Sequence, residues 1–140
     1  MRRSGLTMPI NNPRFVDKSW TRDCDYLNFD LEDSVPQSQK DYARSQVRHA
    51  IVQGQKGAAE INIRINCAYP DADVPAAVWP GVKQINFPKA ETGAQIRHLD
   101  ALITELERAR GIRPGTVRIG ATVETTLGVA NSYEIASASP

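Results

Sequence analysis

A run of about 18 apolar residues, the minimum for a transmembrane helix, is missing from this 140-residue chain. Cysteine is scarce: Cys24 and Cys67 stand far apart without a partner pattern, so a reduced, cytosolic (cytoplasmic) protein is the simplest reading. Charge of one sign is missing as well. The formal net charge is +1 and basic residues are scattered among acidic ones, which excludes a nucleic-acid footprint; Arg2–Arg3 is too short for a basic arm. The first ten residues lack an apolar core and a small-residue cleavage site, so no secretory leader is expected. There is no internal repeat, no low-complexity stretch, and no Gly-rich phosphate loop after the first strand-like segment. That last absence disfavours a stand-alone flavodoxin-like protein.

What the chain does have is regular alternation of strand-like and helix-like segments. Gly5 to Pro9 is a short apolar stretch, and Asn12-Pro13 is an N-cap followed by proline at the first helical position, predicting a helix to about Arg22. Tyr26 to Leu31 reads as a buried strand, and Pro36 to Gln39 opens a helix ending at Gly54. Glu60 to Asn66 alternates isoleucine with polar residues in strict period two. The proline-rich stretch from Pro70 to Gly81 holds only a short helix, and Val82 to Phe87 is a fourth strand, more polar than usual at Lys83, Gln84 and Asn86. Ile96, Leu99, Leu102, Ile103 and Leu106 mark an amphipathic helix that Gly111 ends. Val117 to Val123 is a fifth strand, and a last helix is predicted from Ala130 to Ser137. Five such units argue for an α/β fold with a parallel sheet, either a barrel or a doubly wound open sheet. Length alone favours the open sheet, since a complete barrel needs about 250 residues.

Parallel α/β proteins build their sites at the C-terminal ends of strands. Here those ends carry Asp30, Glu32 and Asp33, then Arg64 and Asn66, then Lys89 and Glu91, then Glu124 and Thr125. Taken singly, each is more often a helix cap or a solvated loop charge. Taken jointly over four strand ends, they suit a hard cation and an anionic substrate, because magnesium needs only one or two carboxylates and a guanidinium grips a carboxylate with parallel hydrogen bonds. Arg64, flanked by isoleucines, needs a partner, since burying an unpaired charge is costly. His49 and His98 read as surface residues, Cys24 and Cys67 as buried small hydrophobes, and Trp20 and Trp79 as packing residues.

At these residues the chain resembles the HpcH/HpaI aldolase and citrate lyase β-subunit family, in its CoA ester lyase branch. The motifs are Arg3-Ser4-Gly5-Leu6 with Met8-Pro9, Asn12 to Lys18, Asp30-Leu31-Glu32-Asp33-Ser34-Val35-Pro36 with Lys40 and Ala43-Arg44, Arg64-Ile65-Asn66, Pro88-Lys89-Ala90-Glu91, Val123-Glu124-Thr125 with Gly128, and Glu134 to Pro140. They run in order over essentially the whole chain. The resemblance implies a (β/α)8 TIM barrel of which residues 1–140 are a partial domain, about the first five βα units. It also implies Mg2+ and a CoA thioester or 2-oxo acid substrate in a reversible aldol- or Claisen-type carbon–carbon cleavage; some relatives hydrolyse the thioester instead. Residue by residue, it implies that Glu124 is a metal ligand, with a second ligand, an aspartate, on a strand beyond Pro140. Arg64 is the substrate-binding and catalytic arginine. Glu32 and Asp33 are an acidic pair orienting Arg64 or metal-bound water. Lys18 and Lys89 are substrate-binding positions, Lys18 near a cofactor's phosphates. Asn12 departs from the arginine many relatives carry. The full-length barrel is expected to be a homo-oligomer without nucleic-acid or membrane partners.

A barrel cut after five units would leave strands one and five unpaired and deprive the apolar interior layers of three strands. A chain of poor stability, or one that dimerises through its open edge, is therefore expected. The alternative to an enzyme is an inactive fragment or interaction module that another chain completes.

Overall fold

The computed structural model describes residues 2–139, which form one five-stranded parallel sheet wrapped on one side by helices. The strands are β1 (Gly5–Pro9), β2 (Tyr26–Asp30), β3 (Glu60–Arg64), β4 (Val82–Phe87) and β5 (Arg118–Ala121), side by side in sequence order. The helices are α1 (Pro13–Val16), α2 (Lys40–Gly54), α3 (Pro70–Ala77), α4 (Gly93–Ala109), α5 (Thr126–Ala130) and α6 (Ser132–Ala136). An open doubly wound sheet reverses its strand order at a switch point. Here the order never reverses, and right-handed crossovers then put every helix on one face. These are consecutive units of a (β/α)8-type barrel, not the open sheet that length favoured.

The two faces differ in chemistry. Leu27, Phe29, Ile61, Ile63, Ile85 and Phe87 are buried with Val47, Ala50, Ile51, Val74, Leu99 and Ile103 of the helices. Gly54 of α2 comes so close to Phe29 and Ile61 that an added Cβ would sit 3.1–3.3 Å from their side chains. The opposite face carries Thr7, Asn28, Asn62 and Gln84, level with one another by strand register, and Asn86, level with Arg64. Asn86 donates to Asn28 and Asn28 to Thr7. The expected apolar interior layers are thus a layer of amides, and the polarity of β4 faces that interior. Lys83 is accommodated by a register shift between β3 and β4 at Ile61/Asn62.

Local departures have local causes. The predicted helix from Pro13 to Arg22 stops at Val16 and resumes as a 3-10 turn at Ser19–Thr21, because the chain turns to bury Ser19. The predicted last helix, Ala130 to Ser137, is α6, and the unpredicted α5 precedes it: Thr125 caps α5, and Asn131, its side-chain amide donating to Glu91 O at 2.8 Å, separates the two. Among the described residues no helix is long and apolar enough to cross a membrane. Trp79 packs between the guanidinium groups of Arg48 and Arg110, whereas Trp20 is 46% exposed, and Cys24 and Cys67 are free and only partly buried. His49 and His98 lie on the surface, against Asp17 and Asp71.

Candidate active site

Strand register puts Asp30, the last residue of β2, beside Arg64, the last of β3. Arg64 donates through Nε and Nη2 to the two oxygens of Asp30, both at 2.7 Å. Such a bidentate pair is both strong and directional. Asp30 is fully buried and also accepts from Glu32 N (2.8 Å), Ser34 N (3.0 Å) and Ser34 Oγ (2.5 Å). Burial pushes its carboxyl up, but Arg64, Ser34 and the backbone donors outweigh that and hold it below the ordinary carboxylate range. The hydrogen bond from Arg64 to Asp30 in turn keeps the guanidinium above its usual value. Sequence reasoning gave Glu32 and Asp33 the orientation of Arg64 or of metal-bound water. Asp30 orients Arg64, while Glu32 approaches only Arg64 Nη1, at 3.4 Å, and Asp33 is mostly exposed.

Glu32 instead faces Lys89, whose Nζ lies 2.5 Å from Glu32 Oε1 and 3.4 Å from Asp33 Oδ1. Its hydrogen bond to Glu32 holds the Lys89 ammonium far above the ordinary lysine value. Lys89 is the one non-glycine among the described residues with positive φ (52°), at the point where the chain leaves β4. That conformation costs energy for a residue with a side chain. It turns Lys89 N toward Glu124 Oε1, at 3.1 Å, while the side chain reaches the acidic pair. Beyond Glu124, Thr125 caps α5, and Gly128 sits where an added Cβ would meet Ala90 O at 2.3 Å. Only glycine lets α5 lie that close to the Lys89–Ala90 backbone.

One network therefore joins the ends of β2, β3, β4 and β5: Asp30, Arg64, Glu32, Asp33, Lys89 and Glu124. Four carboxylates face two cations, an excess of two negative charges. No group of three His, Cys, Asp or Glu able to hold a metal occurs among the described residues. A magnesium ion needs fewer, because it keeps several waters. Glu124 is exposed, with one oxygen tied only to a backbone N–H. Glu32 Oε2 is buried without a hydrogen-bond donor, suited to accept from a metal-bound water. The residues present fit a hard divalent cation.

Lys18 is not in this network. It is exposed in the outer layer, and the neighbouring Trp20 backbone packs against Gly57, in the turn that enters β3 from the opposite end of the sheet. The sequence reading missed the roles of Asp30, Lys40 and Asp73. Asp30 had a signal: an aspartate followed at two and four residues by chain that must turn can hold those amides itself. Lys40 stood in the family motif without a role, and Asp73 had no signal, being a polar residue early in its helix.

The HpcH/HpaI aldolase/citrate lyase family matches residues 3–140. Citrate lyase subunit beta of Leuconostoc mesenteroides subsp. cremoris is 38% identical over 142 residues, covering 99% of this chain and 47% of that protein. An L-malyl-CoA/beta-methylmalyl-CoA lyase of Cereibacter sphaeroides is 34% identical over 99% of this chain and 45% of its own length. The structure of a citrate lyase beta subunit from M. tuberculosis complexed with oxaloacetate and magnesium superposes with a TM-score of 0.72 at 27% identity, covering 98% of this chain and 54% of that one. The chain thus spans about half the length of the curated relatives it matches. Because the family matches residues 3–140 and these relatives align with 98–99% of the chain, the chain belongs to the HpcH/HpaI aldolase/citrate lyase family.

Proposed function

We propose that this chain supplies the metal- and anion-binding part of a magnesium-dependent carbon–carbon lyase of the citrate lyase β-subunit or malyl-CoA lyase type. Its substrate would be a 3-hydroxyacyl thioester, cleaved to a 2-oxo acid and an acyl thioester. The observation that carries the reading is the single network of Asp30, Arg64, Glu32, Lys89 and Glu124 across four strand ends. The solved relative named for oxaloacetate and magnesium supports the same chemistry.

In this mechanism Arg64 is preorganised. Asp30 takes Nε and one N–H of Nη2, which leaves Nη1, 3.4 Å from Glu32 Oε2, and the second N–H of Nη2 as donors to an anionic oxygen. Retro-Claisen cleavage breaks the bond between the hydroxyl-bearing carbon and the carbon next to the thioester. The hydroxyl gives up its proton as its carbon becomes the ketone of the 2-oxo acid. The electron pair of the broken bond leaves with the thioester fragment as an enolate, and that enolate then takes up a proton. Fixed donors at the place where that charge develops lower the barrier without reorganising at the moment of reaction. Lys89 balances Glu32 and Asp33 and serves as a second cation toward a substrate carboxylate. A magnesium ion on Glu124 would act as a Lewis acid toward the 2-oxo acid oxygens.

The test is Mn2+ binding to the purified chain, read from the free-ion paramagnetic resonance signal with and without oxaloacetate. Oxaloacetate should tighten Mn2+ binding, and Glu124→Gln should abolish the effect. Mn2+ binding indifferent to both oxaloacetate and Glu124→Gln would overturn the proposal.

A further inference from the structure

Behind the rim lies a charged cluster that the chemistry above leaves unused. Lys40, the first residue of α2, is 8% exposed, and its ammonium donates to Leu31 O (2.6 Å), Glu32 O (2.6 Å) and Asn66 Oδ1 (2.9 Å). An ammonium has three donors, so Lys40 is saturated and has none left for a ligand. Asn66 passes the constraint on, its Nδ2 donating to Leu31 O (2.9 Å) and, with its backbone N–H, to Asp73 Oδ2 (2.7 and 2.8 Å). Asp73 is fully buried on α3 and takes Arg44 Nε of α2 at 2.7 Å. Two helices and two strand ends are thereby locked around the backbone of residues 31–35.

The consequence falls on Glu32. Its N–H is held by Asp30 Oδ1 on one side and its C=O by Lys40 Nζ on the other. With both flanking peptide groups fixed, the Cα–Cβ bond of Glu32 is fixed as well, and its carboxylate lies against Arg64 and Lys89. Lys40 touches no carboxylate itself. It acts only through carbonyls, which suits a compact point charge and not a planar fork.

We propose that Lys40 is a positioning residue. By liganding the Leu31 and Glu32 carbonyls it sets the 31–35 turn, so that Glu32 faces Arg64 and Lys89 at the rim. The use made of Glu32 rests on the lyase reading above, whereas the positioning itself does not.

The experiment compares amide hydrogen exchange in the wild-type chain, Lys40→Met, which keeps the stem and removes the donors, and Lys40→Arg, which keeps the charge but not its geometry. The amides of Glu32, Ser34 and Val35, all hydrogen-bonded in the turn, are read against those of Phe29 and Ile63 in the strands. In Lys40→Met the turn amides should exchange about tenfold faster relative to the strand amides, the scale of one lost buried charged hydrogen bond. Lys40→Arg should give a smaller acceleration in the same place, and it carries the comparison alone if Lys40→Met does not fold. Equal acceleration of turn and strand amides, or none, would overturn the proposal by making Lys40 a general stabiliser or a bystander. Oxaloacetate-dependent Mn2+ binding of the same samples separates the two ideas. Its absence in the wild type counts against the lyase reading, while the exchange ratio still decides the role of Lys40.

Discussion

The two sides of the site are built differently. Behind the ends of β2 and β3 three buried charged groups are over-determined: Asp30 accepts five hydrogen bonds, Asp73 three, and Lys40 donates three. At the end of β5, Glu124 is exposed and held by one backbone N–H. The contrast teaches a division of labour. The arginine side is preorganised by the protein, and each bond there was formed on folding. The glutamate side keeps most of its lone pairs free of protein donors, which is what the proposed role of metal ligand requires.

The largest effect that would break or sharpen this contrast is Asp30→Ala. It strands Arg64 and the Glu32 and Ser34 amides, and should lower stability by about 3–5 kcal/mol, whereas Glu124→Ala should stay within roughly 0.5 kcal/mol of wild type. Urea denaturation of both variants checks this, and equal losses would dissolve the contrast. Next is Gly128→Ala, which drives a methyl toward Ala90 O. It should cost about 1–3 kcal/mol in thermal melts and weaken Mn2+ binding by displacing Glu124, while leaving turn 31–35 exchange unchanged. The smallest effect is on pH dependence. The Asp30 carboxyl is depressed in the folded chain, so its contribution is present above the unfolded carboxylate value of about 3.9 and fades as pH falls through the lower folded value. The stability gap between wild type and Asp30→Asn should therefore be flat at neutral pH and narrow below about pH 4. A gap that widens on acidification would show that Asp30 is not held ionised.

Much of this was legible before any coordinates. Isoleucine alternation placed β3, the leucine and isoleucine spacing placed α4, and Arg64 between two isoleucines announced that it needed a partner. The identity of that partner was not legible. Glu32 and Asp33 were the nearer guess by motif, but the parallel register that sets Asp30 level with Arg64 is a pairing across 34 residues. The capping box of Thr92 and Gln95 was present in the sequence pattern, as was the cap at Thr125. The break at Asn131 was not, because it depends on Glu91 O, forty residues earlier.

Local chemistry acts between residues a few positions apart. The sequence alone therefore determined the five strands and their alternation with helices, the family motifs, and the strand ends where charges collect. Only the tertiary structure decided which carboxylate holds Arg64, that the face away from the helices is a layer of amides, that Lys18 stays outside the network, and that Lys40 is spent on carbonyls. Each of those depends on register and on which helix lies over which strand, and these are settled when distant segments pack together and every buried charge must find its partner.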